Sequence, residues 1–199
     1  MINELSINTI IDFEVGSPTA YTQLYQSPIW PGGESGVTIG IGYDMGYMTT
    51  AQFKADWGNH LNPAAMGLLQ TCIGVKGLKA KARLPFVKDI IIGYPLAKKV
   101  FVNSSIPKYE NMMLSIYPEA KELPENTYGM LVSLVYNRGA SLVGDRRREM
   151  KTIQGLVKAK DIAGIAAQFL AMCRLWDVKK AGGLIKRRIK EAGIIKLDI

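Results

Sequence analysis

Residues 37–44 read VTIGIGYD, from Val37 to Asp44, and the way this stretch is read decides the fold. In an extended strand side chains alternate, so Val37, Ile39, Ile41 and Tyr43 fall on one face and Thr38, Gly40, Gly42 and Asp44 on the other. The first face is core. The second offers a hydroxyl, two positions without side chains and a carboxylate, a surface on which a flat polar ligand such as a sugar can lie against the backbone. A straight strand would hold Thr38 and Asp44 about 20 Å apart. Joint use of the two therefore requires Gly40 and Gly42 to bend or bulge the chain.

Around this stretch, residues 16–47 are rich in glycine, proline and aromatic side chains (Tyr21, Tyr25, Trp30, Tyr43 and Tyr47), which predicts a small β region with turns. Before it, Ile2, Leu5, Ile10, Ile11 and Phe13 keep a loose helical period, so a first helix is expected over 3–14 with Glu14 at its end. Beyond it the punctuation is helical. Thr49 or Thr50 caps one segment to about His60, and Asn62 followed by Pro63 opens another that Gly74 stops. Further helices are expected over 84–102, 105–116, 125–138, 145–156, 160–174 and 181–193. The prediction is one α+β domain over 1–199, mostly α, with a β lobe at 16–48 beside a helical lobe at 49–199.

The composition fits an ordinary globular chain: 199 residues, 48% apolar and 21% charged. No stretch reads as a membrane span, and the N-terminus lacks the basic, apolar and small-residue succession of a secretory signal, so synthesis in the cytoplasm without a leader is expected. Charge is uneven. Residues 1–137 carry ten basic and eleven acidic side chains, whereas 138–199 carry fifteen and six. Such a basic end favours an anionic partner, or simply forms a solvated helix face. On a helix over 181–193, Leu184, Ile185 and Ile189 are expected on the inner side. Cys72 and Cys173 read as buried free thiols, and with His60 the only histidine neither a zinc site nor a Ser-His-Asp triad is expected. The run GIGYDMG misses the dinucleotide-binding spacing, because its third glycine comes one place late.

The chemistry is carried by Glu14 with the Thr38 and Asp44 face. An acid at the end of an apolar helix, facing an ionised carboxylate across a cleft, is what glycosidic bond hydrolysis needs: one protonates the leaving oxygen and the other handles the water.

Glu14 followed by Thr38-Ile39-Gly40-Ile41-Gly42 resembles the phage-type lysozymes, glycoside hydrolase family 24, whose site runs from a helix-terminal Glu into a β lobe carrying TIGxG. The order Glu14, Thr38, Asp44, with the aspartate six residues after the threonine, is closer to the pesticin-type muramidase domains. In the commoner phage enzymes the aspartate precedes the threonine, and the position six before Thr38 is Gly32 here. Glu34, in WPGGESG, is the upstream carboxylate that competes with Asp44 for the role of second acid. LVSLVYNRGASL and Trp176 followed by GGLIKRRIKEAG also look like the buried helix and the basic C-terminal helix of these enzymes.

The resemblance implies a lysozyme-like fold and hydrolysis, with inversion, of the β-1,4 bond between N-acetylmuramic acid and N-acetylglucosamine in peptidoglycan. Glu14 is then the acid, and Asp44 with the Thr38 hydroxyl holds the water. Gly40, Gly42, Tyr43, Tyr21, Asn137 and Arg187 are the expected substrate-binding residues. No metal and no cofactor are implied. The expected partner is the glycan strand, met by a monomer acting in the periplasm or cell wall after delivery, with no nucleic acid and no membrane insertion. An immunity protein or a delivery machinery stays open, as does the choice between endolysin and antibacterial toxin. The competing readings are a lytic transglycosylase and a catalytically inactive module that binds cell wall or nucleic acid.

Overall fold

The computed structural model describes residues 2–199, 71% of the chain being helical, with one two-stranded antiparallel sheet early in the sequence. The fold is α+β and mostly α. Two compact units are formed, one by residues 11–105 and one by residues 2–10 with 106–199.

Helix α1 (Glu4–Val15) is followed by α2 (Pro18–Leu24), which Ser17 caps by accepting from the Ala20 amide, with Pro18 in the first turn. The expected β character of this segment is therefore corrected: Ser17-Pro18 is a helix start. VTIGIGYD is not one strand either. It is a hairpin of β1 (Thr38–Ile39) and β2 (Tyr43–Asp44), paired Thr38 to Asp44 and Ile39 to Tyr43. Gly40 (φ +56°) and Gly42 (φ +66°) take the left-handed conformations that the three-residue loop demands, and a Cβ on Gly40 would press on the Trp57 ring at 3.0 Å. The alternation holds on the core face, where Val37, Ile39, Ile41 and Tyr43 are all buried.

The rest of this unit is helical: α3 (Thr50–Trp57), α4 (Pro63–Gln70), α5 (Gly77–Arg83) and α6 (Tyr94–Val100). Thr49 and Asn62 cap α3 and α4 as expected. The expected helix over 84–102 shrinks to α6, because Gly93 and Pro95 mark a start rather than an interior. Phe53, Trp57, Met45 and Leu69 fill the core beneath the hairpin unit's surface, with Tyr43 edge-on to Trp57 at 5.6 Å.

The other unit contains α7 (Ile106–Ile116), α8 (Glu125–Arg138), α9 (Arg148–Ala159), α10 (Ile162–Ala171) and α11 (Val178–Ile195), one of them buried along most of its length. That helix is α8, apolar nearly all round and inaccessible from Thr127 to Val135. It packs on α7 and α11, while α10 contacts α9 and α11. Asp198 satisfies its N-terminus, accepting from the Thr127 amide at 2.7 Å and from the Thr127 hydroxyl at 2.6 Å. At Gly129 a side chain would overlap Ser6 of α1.

The expectation about the inner side of α11 fails at Ile189, while Leu184 and Ile185 are half-buried. Arg187 and Arg188 point inward, 3% and 0% exposed, and Ile189 is 53% exposed. The inner side is polar because Glu191, fully buried, pairs with Arg187 at 3.1 Å and with Arg188 at 2.9 Å. The Ser133 hydroxyl of α8 donates to the same carboxylate. Burial pushes the Arg188 guanidinium down to about 10, against the pull of Glu191. Part of the basic excess of the last third is thus internal. Cys72 and Cys173 are both free, Cys72 buried and Cys173 half-buried.

Candidate active site

Within the unit of residues 11–105, the last turn of α1 and the hairpin face a common cavity of about 270 Å³. Glu14, Val15, Tyr25, Ile29, Pro31, Thr38, Gly40 and Gly42 line it. The structure so brings together four of the residues expected from sequence: Glu14, Thr38, Gly40 and Gly42. Gly40 and Gly42 contribute only backbone to this lining.

Thr38 is held on both sides. Its amide and carbonyl exchange hydrogen bonds with Ile29 at 2.8 and 3.0 Å, a bridge that adds a third chain segment to the hairpin. With those groups turned toward Ile29, the facing of Thr38 and Asp44 is the non-hydrogen-bonded kind, in which cross-strand side chains stand closest. The approach that a straight strand forbids is achieved by hairpin closure. Thr38 lines the cavity, and its hydroxyl is buried and has no hydrogen-bond partner in the protein. A buried hydroxyl without a protein partner is a position that a water or a substrate oxygen satisfies.

Asp44 is half-buried and does not itself line the cavity. Its Oδ1 accepts from the amides of Gly36 at 2.9 Å and Gly46 at 2.8 Å, capping the short 3-10 turn of Met45–Tyr47. No described residue hydrogen-bonds its Oδ2. Two fixed donors on one oxygen leave the second for a water, so the carboxylate is oriented by the backbone and keeps one acceptor in reserve. Glu34, the rival second acid, is exposed in the loop before the hairpin, and its carboxylate lies beside Gly77 at the start of α5. It does not line the cavity.

Two tyrosines expected at the sugar serve the scaffold in this geometry. The Tyr21 hydroxyl is buried and donates to the Ile92 carbonyl at 2.9 Å, and Tyr43 donates to Asp56 Oδ2 at 2.8 Å. Burial pushes both phenols up, and for Tyr43 the Asp56 carboxylate adds to it. Tyr25, by contrast, lines the cavity. Trp30 and Tyr47 carry lysines over their rings, Lys81 at 5.4 Å and Lys76 at 3.5 Å. Asn137 and Arg187 belong to the other unit. Asn137, in the last turn of α8, accepts from Arg188 at 3.4 Å, and Arg187 is buried against Glu191 and Ser133. Among the described residues no cluster of His, Cys, Asp or Glu could hold a metal ion.

Sequence reasoning missed two features of the site. The Ile29 bridge lacks a local signal, since it joins residues nine apart through backbone groups. The capping role of Asp44 was foreshadowed by Asp44-Met45-Gly46, an Asx-type turn pattern, but its bond to Gly36 is non-local.

Comparison with known families gives the class directly: the sequence matches the phage lysozyme family over residues 58–191, two thirds of the chain. The chain belongs to that family of wall-lytic enzymes. The matched span begins after the hairpin, so Glu14, Thr38 and Asp44 lie outside it. No curated protein matches the chain. Among the described residues no helix is long and apolar enough to cross a membrane.

Proposed function

We propose that this chain is a muramidase that hydrolyses the β-1,4 bond between N-acetylmuramic acid and N-acetylglucosamine in peptidoglycan, with inversion. Glu14 protonates the leaving glycosidic oxygen. Asp44 and the Thr38 hydroxyl hold the attacking water, the carboxylate taking its proton and the hydroxyl fixing its position. The observation that carries this reading is that Thr38, whose buried hydroxyl has no protein partner, lines one cavity with Glu14 and stands directly across the hairpin from Asp44. Tyr25, Gly40 and Gly42 form the sugar-facing wall, while Tyr21 and Tyr43 act by holding the hairpin unit together.

The test is digestion of purified sacculi followed by mass spectrometry of the products. Reducing N-acetylmuramic acid ends are expected. Anhydro ends, with activity retained in Asp44→Asn, would instead make the chain a lytic transglycosylase, since that reaction needs no activated water. Binding to sacculi without product would make it an inert wall-binding module.

A further inference from the structure

The unit of residues 2–10 and 106–199 has a cavity of its own, about 540 Å³ in volume, with Arg138, Arg146, Arg147, Asp145 and Trp176 in its lining. Its charge is not balanced from within. The Asp145 carboxylate is taken by Arg174 at 3.0 Å, and the Glu149 carboxylate behind it is taken by Arg174 as well. None of Arg138, Arg146 and Arg147 is in an ion pair among the described residues. Arg138 donates to the Arg146 carbonyl and lies 5.2 Å from the Trp176 ring centre, and its Nε is buried with no partner. Arg147 reaches only the Met150 sulfur, at 3.4 Å, and Arg146 is an exposed part of the lining.

Three guanidiniums gathered in one hollow repel each other. Burial, then the like charges of Arg147, Arg188 and Arg146, push Arg138 down to about 10, which still leaves it charged near neutral pH. The helix α9 opens directly after Arg147 with no side-chain cap, adding potential of the same sign. One carboxylate is satisfied by a single guanidinium fork. Three guanidiniums without a carboxylate partner, Arg138 from the end of α8 and Arg146 and Arg147 from the turn before α9, suit a tetrahedral group that accepts from several directions and carries two charges. Val143, 86% exposed at the rim, and Leu184 give an organic substituent something apolar to meet.

We propose that this cavity binds an organic phosphate ester, with Arg138, Arg146 and Arg147 as donors and Trp176 holding the Arg138 guanidinium in place. The proposal is argued from residues of this unit alone and does not rest on the roles assigned to Glu14, Thr38 and Asp44.

The experiment is isothermal titration of the full chain at constant ionic strength with phenyl phosphate, inorganic phosphate and phthalate, the last a ring-bearing dicarboxylate. Saturable one-to-one binding of phenyl phosphate is expected, several-fold tighter than either of the other two. Arg146→Ala and Arg147→Ala should each weaken it by about tenfold, the scale of one charge-assisted hydrogen bond. Arg146 makes no side-chain contact that the fold needs, so its variant keeps the test independent of stability. Lys54→Ala/Lys79→Ala, exposed positions in the other unit, removes more charge and should change affinity less than about twofold. No saturable binding, equal affinity for phthalate or inorganic phosphate, or an equal loss in the lysine control would each overturn the proposal.

Discussion

Replacing Asp44 separates its two jobs. Oδ1 holds the amides of Gly36 and Gly46, both of them buried, and this pins the hairpin to the loop before it and to the turn after it. Asp44→Ala leaves both amides without their acceptor. At about 1–3 kcal/mol for each stranded donor, and toward the low end because the site is half open to water, the loss is about 2–4 kcal/mol. For a chain of this size that lowers the melting midpoint by roughly 5–15 °C. Asp44→Asn keeps an oxygen in the Oδ1 position and can hold both amides, so the cost falls to about 1 kcal/mol, the difference between charged and neutral acceptors. It cannot take a proton from water. The expected result is a midpoint within about 2–4 °C of the parent, with reducing-end release from sacculi down by a factor of about 10²–10⁴. Differential scanning calorimetry and a reducing-sugar assay on the same preparations give both readouts. If Asn destabilises as much as Ala, the backbone argument fails, and if Asn retains full turnover, Asp44 does not activate the water.

Other substitutions probe neighbouring parts of the account. Thr38→Val removes a buried hydroxyl that lacks a protein partner, so thermal stability should hold or rise slightly while turnover falls at least about tenfold; a stable variant with unchanged turnover would remove Thr38 from the chemistry. Gly129→Ala should destabilise by about 1–3 kcal/mol in urea titration, because the new methyl has to displace Ser6 or α8; a neutral result would mean α1 is not packed on α8 at that point. Burial raises the Glu149 carboxyl, but the Arg174 guanidinium outweighs it and holds the group below its ordinary range. The folded state then binds that proton less readily than the unfolded chain, so the contribution is present above about pH 4.5 and is lost as pH falls through the depressed folded value. The stability gap between the parent and Arg174→Met should accordingly be wide at neutral pH and narrow at about pH 3, and a gap independent of pH would contradict the pairing.

The elements that were legible in the sequence are those whose signals are local. Helix α8 begins after Pro124 and stops at Gly139, and its bounds match the expected 125–138 because punctuation and apolar run agree. The buried face of VTIGIGYD followed from period-two alternation, and the expectation that its glycines bend the chain was met by a sharper device, a closed hairpin. What escaped was non-local. Two glycines spaced by one residue signal a three-residue hairpin loop as well as a bulge, and only the pairing partner distinguishes them. The inward turn of Arg187 and Arg188 contradicts amphipathic reasoning because their partners, Glu191 and Ser133, are supplied by tertiary packing. Glu14 and Thr38 were singled out together by the family resemblance, but that they share a cavity is a property of how the α1 end packs beside the hairpin.

In the proposed reaction Glu14 supplies the proton that breaks the glycosidic bond. Its direct test is Glu14→Gln assayed on purified sacculi, with reducing ends counted and the melting midpoint measured on the same sample. Turnover should disappear while the midpoint stays within a few degrees of the parent; turnover at the parent rate in a folded Glu14→Gln variant would mean that Glu14 is not the proton donor.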